Sequence, residues 1–256
     1  MRGPYEGMWN VVRFNWPKYL VGIVVVFAAT LAACTTAGTT SSILTGAAAL
    51  AGVALTLPLL VSHLIYDRSD LYKLPWLDKF PSTWAGSVLN INAGFDETSA
   101  LILKRLPNCA LEVVDFYDPK LHTEASIERA RKAYTSFPGT RPVGTDFKPL
   151  AEKSMDLALA FLSLHEVRNP QERIEMLLAI NRILKPDGRL IITEHMRDLP
   201  NFVAFNFGYL HFHSQATWID AFDHSGFQVE STSKSFSFIT PSPLSPLFPY
   251  TSLFPS

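Results

Sequence analysis

The chain has 256 residues, 48% hydrophobic and 18% charged, with a net charge of −1, two cysteines and a mean hydropathy of +0.14. The apolar content excludes disorder as the main state, and two cysteines exclude a disulfide scaffold. The balanced charge leaves no electrostatic footprint for a nucleic-acid partner. The averages conceal two unlike parts. From Tyr19 to Tyr66 there is no Asp, Glu, Lys or Arg, a run of 48 residues, whereas residues 67–256 carry 41 of the 45 charges.

The uncharged run is interrupted by TTAGTTSS (Thr35–Ser42), which predicts two helices over about 19–36 and 43–65. At ~1.5 Å per residue the second spans about 34 Å, enough for a ~30 Å hydrocarbon core. The first gains length by extending into the Thr-rich turn. Arg2, Arg13 and Lys18 precede the pair, Arg68, Lys73 and Lys79 follow it, and the turn carries no charge. The positive-inside rule puts both ends in the cytoplasm. Trp9, Trp16, Tyr19, Tyr66, Tyr72 and Trp76 gather at that same face, as an aromatic belt does. Residues 1–66 therefore read as a multi-pass anchor in the inner (cytoplasmic) membrane, with the lipid bilayer as partner. Leu31-Ala32-Ala33-Cys34 also resembles a lipoprotein cleavage box, but the second apolar run that follows favours a hairpin. Gly22, Gly38, Gly46 and Gly52 suit close helix packing, within the hairpin or between two hairpins of a homodimer.

Residues 67–86 mix charge, aromatics and proline and read as an interfacial linker. Strands and helices then alternate. Strands are predicted at Ser87–Ile91, Ala110–Val114, Pro142–Thr145, Met155–Phe161 and Arg189–Thr193. Helices are predicted at Glu97–Leu106, Thr123–Tyr134, Pro170–Leu184 and Ser214–Ser225, with Lys185-Pro-Asp-Gly188 stopping the third. Two further β-like runs lie at Gly226–Thr232 and Ser235–Thr240. The alternation implies an α/β domain over 87–240 with a mostly parallel sheet covered on both faces. In the tail, 241–256, five prolines argue against a regular helix or central strand. It lies on the membrane, covers an apolar groove, or is loosely ordered.

Ligands in such sheets sit at the carboxyl ends of the strands. Those ends carry Asn90-Ile-Asn-Ala-Gly94-Phe-Asp96, Asp115, Asp146-Phe147, Leu162-Ser-Leu-His165-Glu166 and Glu194-His195. The order, together with SMDLALAFLSLHEV (Ser154–Val167) and RILKPDGRLIITEH (Arg182–His195), resembles the class I S-adenosylmethionine-dependent methyltransferases. The nearest branch is that of the ubiquinone- and menaquinone-pathway enzymes. The resemblance implies a Rossmann-like, doubly wound, seven-stranded sheet behind the hairpin, with S-adenosylmethionine as cofactor. It places Asn90 where the family has an acid. Of the three usual glycines, at Asn92, Gly94 and Asp96, only Gly94 is kept. Asp115, with Asp118 as an alternate, falls at the ribose-binding acid, Asp146 and Phe147 at the adenine-binding pair, and Leu162 and Ser163 on the opposite wall. A nicotinamide reductase would need the glycine fingerprint that this turn lacks.

Methyl transfer to a hydroxyl needs positioning and a base. His195 and His165 are the candidate bases, with Glu194 orienting His195. Arg197, His211 and His213 are candidate acceptor contacts; packing or surface roles are the alternative for both histidines. No third ligand has metal-site spacing, so no metal is expected. The anchor and the aromatic stretch Phe202–Phe212 suggest a lipophilic, phenol- or quinone-like small-molecule acceptor. The rival is a non-catalytic membrane scaffold with a degenerate methyltransferase fold.

Overall fold

The computed structural model describes residues 2–234 and 249–255. Two antiparallel helices come first, α1 (Glu6–Thr35) and α2 (Gly38–Ser62). Gly22 makes their close approach possible, since a Cβ there would fall 2.4 Å from a Leu55 methyl. Gly46 and Gly52 have nothing within 4 Å of such a Cβ and do not serve the hairpin contact.

The helices differ from the predicted spans in an instructive way. The Thr-rich segment is helical except at Thr36 and Ala37. Its hydroxyls donate to carbonyls one turn back, Thr36 to Ala32 (2.9 Å) and Thr45 to Ser41 (2.9 Å), which satisfies them without water. α1 starts early, at Glu6, and kinks at Asn15 (φ −116°, ψ 18°), just before Pro17, whose ring cannot continue the hydrogen-bond ladder. Beyond the kink α1 extends about 28 Å, and α2 about 37 Å. Both helices are long and apolar enough to cross a membrane. Only 6% and 11% of their apolar windows are buried, unlike the core helix of a soluble domain. Phe27, Leu31, Ile43 and Leu50 stand exposed on their outer faces.

After α2, one turn of π-helix (His63–Arg68) and two short 3-10 turns (Leu71–Lys73, Pro75–Lys79) lead to the sheet. This segment packs as a wall of the α/β domain. Ile65, Leu71, Leu74, Trp76 and Leu77 are buried against Val88, Leu157, Leu159 and Ile191. Its charged residues Asp70, Lys73, Asp78 and Lys79 point outward.

The sheet comprises β1 (Ser87–Asn92), β2 (Ala110–Asp115), β3 (Arg141–Pro142), β4 (Met155–Phe161), β5 (Leu184–Thr193), β6 (Phe227–Lys234) and β7 (Pro249–Pro255). Their order is β3-β2-β1-β4-β5-β7-β6, parallel throughout except for antiparallel β7. Alternation sorts the side chains. Leu89, Ile91, Ala158, Ala160, Leu190 and Ile192 face α5 (Pro170–Ile183) and α7 (Gln215–His224), where Met176, Leu177, Ile180, Trp218 and Phe222 complete the core. Val88, Leu157 and Ile191 face the wall described above, α3 (Ser99–Arg105) and α6 (Leu199–Phe205). Lys185–Gly188, predicted as a helix stop, lies within β5, where the ladder with β4 shifts register.

The tail supplies the last strand of the sheet, against the expectation drawn from its prolines. Pro249 and Pro255 stand at the ends of β7, so the stretch that pairs with β5, Tyr250 to Leu253, contains none. The run predicted at Ser235–Thr240 lies outside the described residues. Strand order reverses between β1 and β4, which opens a crevice at their carboxyl ends.

Candidate active site

Two cavities meet in that crevice. The smaller, about 50 Å³, is lined by Asn92, Ala93, Phe95, Glu97, Leu162 and Ser163, among others. The larger, about 620 Å³, shares Phe95, Glu97, Ile127 and Leu162 with it and runs between the α/β domain and the hairpin. Its domain wall includes His165, Glu166, His195, Phe205 and Phe212. Its hairpin wall includes Phe14, Tyr19, Leu55, Pro58 and Tyr66.

The β1–α3 turn is tied by side chains in place of the missing glycines. Asn90, fully buried, donates to Thr98 Oγ1 (3.0 Å) and Ser99 Oγ (2.8 Å) and does not line the small cavity. Asp96 accepts from the backbone N–H groups of Thr98 and Ser99 and caps the start of α3. Asn92 accepts from Gly94 N–H (3.1 Å), while its own Nδ2 is buried at the small cavity and has no partner among the described residues. Gly94 takes φ +88°, a left-handed conformation suited to glycine. Asp115 ends β2, buried, accepting from Tyr117 N–H (2.9 Å) and paired with Arg131. Arg131, on α4 (Ala125–Ala133), lies against Gly94 and over the Tyr117 ring.

Other predicted cofactor residues are placed differently. Asp146 is exposed and paired with Lys148 (2.8 Å). Phe147 is fully buried among the core residues between sheet and α5, so its ring lines neither cavity. Ser163 donates to Ile91 O (3.0 Å) across the β1–β4 crevice.

The predicted catalytic trio is assembled, but in changed roles. Glu194 holds His165, not His195. One carboxylate oxygen accepts from the backbone N–H groups of Ser163, Leu164 and His165, and the other meets His165 Nδ1 at 2.6 Å. Burial opposes a charge on His165, but the Glu194 and Glu166 carboxylates outweigh it and raise its pKa to about 10. His165 is thus a cation at neutral pH and has no lone pair to offer as a base. His195 is held well below its usual pKa, by burial first and then by the charge of His165. Its Nε2 lies 2.8 Å from Tyr66 Oη, its ring stacks on Phe212, and Asn201 is a further hydrogen-bond neighbour. It is a neutral hydrogen-bonding group of low basicity.

The candidate acceptor contacts also separate. His211 lines the large cavity at its exposed rim, between Glu124 (2.7 Å) and Arg168 (2.8 Å). Arg197 and His213 do not line it. Arg197 donates to Phe212 O (2.7 Å) and braces the turn. His213 packs edge-on against Trp218, with a pKa lowered to about 4 by burial and by Arg173.

Four residues at the site were not singled out in the sequence as chemistry: Arg2, Tyr66, Tyr72 and Glu97. Glu97 accepts from Arg2 and from the Tyr72 hydroxyl, and Arg2 lies 3.6 Å above the Tyr72 ring. Asp67 caps α1 through Gly7 N–H (2.6 Å) and Met8 N–H (3.1 Å), which fixes the hairpin's base beside Tyr66.

Residues 113–192 match a sequence profile described as a methyltransferase domain, about a third of the chain. Among solved structures, the mitomycin 7-O-methyltransferase MmcR is similar with a TM-score of 0.54 at 13% identity, over 100% of this chain and 74% of that one. A SAM-dependent methyltransferase from Aquifex aeolicus is similar with a TM-score of 0.50 at 14% identity, over 77% of this chain and 98% of that one. No sequence among the curated proteins matches the chain. The α/β domain has the fold of solved S-adenosylmethionine-dependent methyltransferases, and the cofactor that this likeness implies is S-adenosylmethionine. The residues present fit that group. Asn92 Nδ2 is a buried donor without a partner among the described residues, Gly94 has no Cβ to block approach, and the Asp115 carboxylate suits hydroxyl donors. Arg131 must leave Asp115 for those hydroxyls to reach it.

Proposed function

We propose that the chain is a membrane-anchored S-adenosylmethionine-dependent methyltransferase that takes a lipophilic, phenol- or quinone-like small molecule from the bilayer. The carrying observation is the 620 Å³ cavity, which has the methyltransferase domain on one side and both membrane-type helices on the other. Tyr19, Leu55 and Pro58 give it an apolar wall on the hairpin, and Phe205, Phe207 and Phe212 continue that lining on the domain. A molecule already dissolved among lipid chains reaches such a cavity without crossing water. The basic flanks of the hairpin support a domain on the cytoplasmic face of the inner membrane.

The cofactor supplies an electrophilic methyl group on a sulfonium. The chain supplies position and field. The His165 cation stabilises negative charge developing on an acceptor oxygen, and Glu194, fixed by three backbone donors, keeps His165 charged. Tyr66 and His195 add a hydrogen-bonded polar pair to the lining of the cavity.

The test compares full-length protein in nanodiscs on a long-chain phenol held in the bilayer and on its short, soluble analogue. The expectation is a preference for the bilayer phenol that Leu55→Trp, which fills the hairpin wall, abolishes. Equal turnover on both acceptors, unaffected by Leu55→Trp, contradicts the reading. Arg131, seated between Gly94 and Asp115, favours one rival, a scaffold that has lost its cofactor. Calorimetry showing no S-adenosylmethionine or S-adenosylhomocysteine binding at millimolar concentration would decide for it.

A further inference from the structure

Three carboxylates line the large cavity: Glu97, Glu124 and Glu166. They are not equivalent. Glu124 sits at the rim, where its hydrogen bond to His211 holds its pKa below the usual range. Glu166 is also lowered, its burial outweighed by His165. Both are poor proton acceptors. Glu97 alone of the three also lines the small cavity, so it stands where a methyl group passes from cofactor side to acceptor side.

We propose that Glu97 is a catalytic carboxylate that takes the proton of an acceptor hydroxyl, and that the N-terminal segment holds it in place. This rests on the acceptor reading above. The carboxylate is positioned from outside the sheet, by Arg2 ahead of α1 and Tyr72 after α2. The charged and titratable groups that face it are Arg2 and Glu6 from the N-terminal segment and Tyr66 and Tyr72 from the segment after α2. Burial pushes the Glu97 carboxyl up, and Arg2 and Tyr72 recover only part of that shift. A carboxyl raised in this way is a better proton acceptor near neutral pH than an ordinary surface glutamate. In the step, the acceptor O–H bond breaks and its proton passes to a Glu97 oxygen. The acceptor oxygen bonds to the methyl carbon. The sulfur–methyl bond breaks and its electron pair stays on sulfur, leaving a methyl ether, a thioether and protonated Glu97.

The placement gives the hairpin a chemical duty. Arg2 stabilises the Glu97 carboxylate, and Arg2 sits beside the helix that Asp67 caps. A hairpin that shifts its base therefore changes the basicity of the catalytic group as well as the shape of the cavity.

The experiment uses the full chain in nanodiscs with a long-chain phenol, and compares wild type, Glu97→Gln and Arg2→Met. Glu97→Gln should lower kcat by about a hundredfold or more, the contribution of a general base. KM and the calorimetric affinity for S-adenosylhomocysteine should stay unchanged. Arg2→Met should move the acid limb of the kcat–pH profile upward. The infrared carboxyl band of Glu97, absent in Glu97→Gln, should titrate at that same higher pH. Wild-type kcat in Glu97→Gln, or an acid limb and carboxyl band unmoved by Arg2→Met, overturns the role of Glu97 while wild-type turnover of the phenol leaves the acceptor reading standing. If wild type methylates only a soluble acceptor, that reading fails, and the same comparison of kcat and acid limb on the soluble acceptor decides Glu97.

Discussion

The two sides of the crevice are built on opposite plans. On the cofactor side, β1 and β2 keep the backbone geometry at Gly94 and the buried Asp115, but the space is small and Arg131 lies against Gly94 and pairs with Asp115. On the acceptor side, β4 and β5 end in a dense polar cluster, and the cavity beyond is more than ten times larger. The cofactor side carries the Arg131 side chain at its edge, whereas the large cavity is enclosed by a second structural unit. The difference teaches how the two halves of the crevice divide their work. In the proposed function, the general part of the reaction would rest on the sheet, and the particular part on the hairpin and the segment that joins it to the sheet.

The largest effect expected from breaking the acceptor side comes from pH. His165 has a folded pKa of about 10, against an ordinary value of 6.5. Its favourable contribution is complete below about pH 6.5 and is lost as pH rises through about 10. The contribution is on the order of a few kcal/mol. The thermal unfolding midpoint of wild type should fall over that window, and His165→Gln should flatten the fall. A wild-type profile already flat there contradicts the His165–Glu194 pair. Next is Gly7→Val at the hairpin's base, where a Cβ would lie 2.2 Å from Tyr66 Cβ. Overpacking of this kind costs about 1–3 kcal/mol. It should lower kcat on the bilayer phenol while S-adenosylhomocysteine affinity holds. Equal loss of both would show that the two sides are not separable. The smallest effect belongs to the cofactor side. Arg131→Ala removes a partly exposed ion pair worth about 0.2–1 kcal/mol, so the Kd for S-adenosylhomocysteine should fall by about 1.4- to fivefold. A rise in Kd would mean that Arg131 holds the cofactor instead of competing with it.

Much of the architecture was legible because strong patterns wrote it. The strand Met155–Phe161 is bounded as observed, since an apolar run too short for a helix, set among alternating elements, favours a buried strand. The 48-residue charge-free stretch gave both long helices. What escaped had a physical reason in each case. Residues 67–86 looked interfacial because their charges are conspicuous, yet those charges alternate with Leu71, Leu74, Trp76 and Leu77, which cover the sheet. The last strand was hidden by prolines that stand at its ends. At the site, His165, Glu194 and His195 were found as strand-end residues, but pairing depends on side-chain directions that periodicity does not encode. Glu97 was read as the first residue of a helix, and Tyr66 and Tyr72 as belt aromatics. Their partners lie 25 or more positions away, Arg2 being 95 from Glu97 and Tyr66 being 129 from His195.

The central claim is that the acceptor enters from the bilayer between hairpin and domain. A photoreactive long-chain phenol in nanodiscs tests it most directly, with labelled peptides mapped after illumination. The account predicts labelling on both walls of the large cavity, at Tyr19 or Leu55 on the hairpin and within Phe205–Phe212 on the domain, with an unlabelled phenol competing at both. Labelling confined to the outer faces of α1 and α2, around Phe27 and Leu50, and insensitive to competition would contradict it.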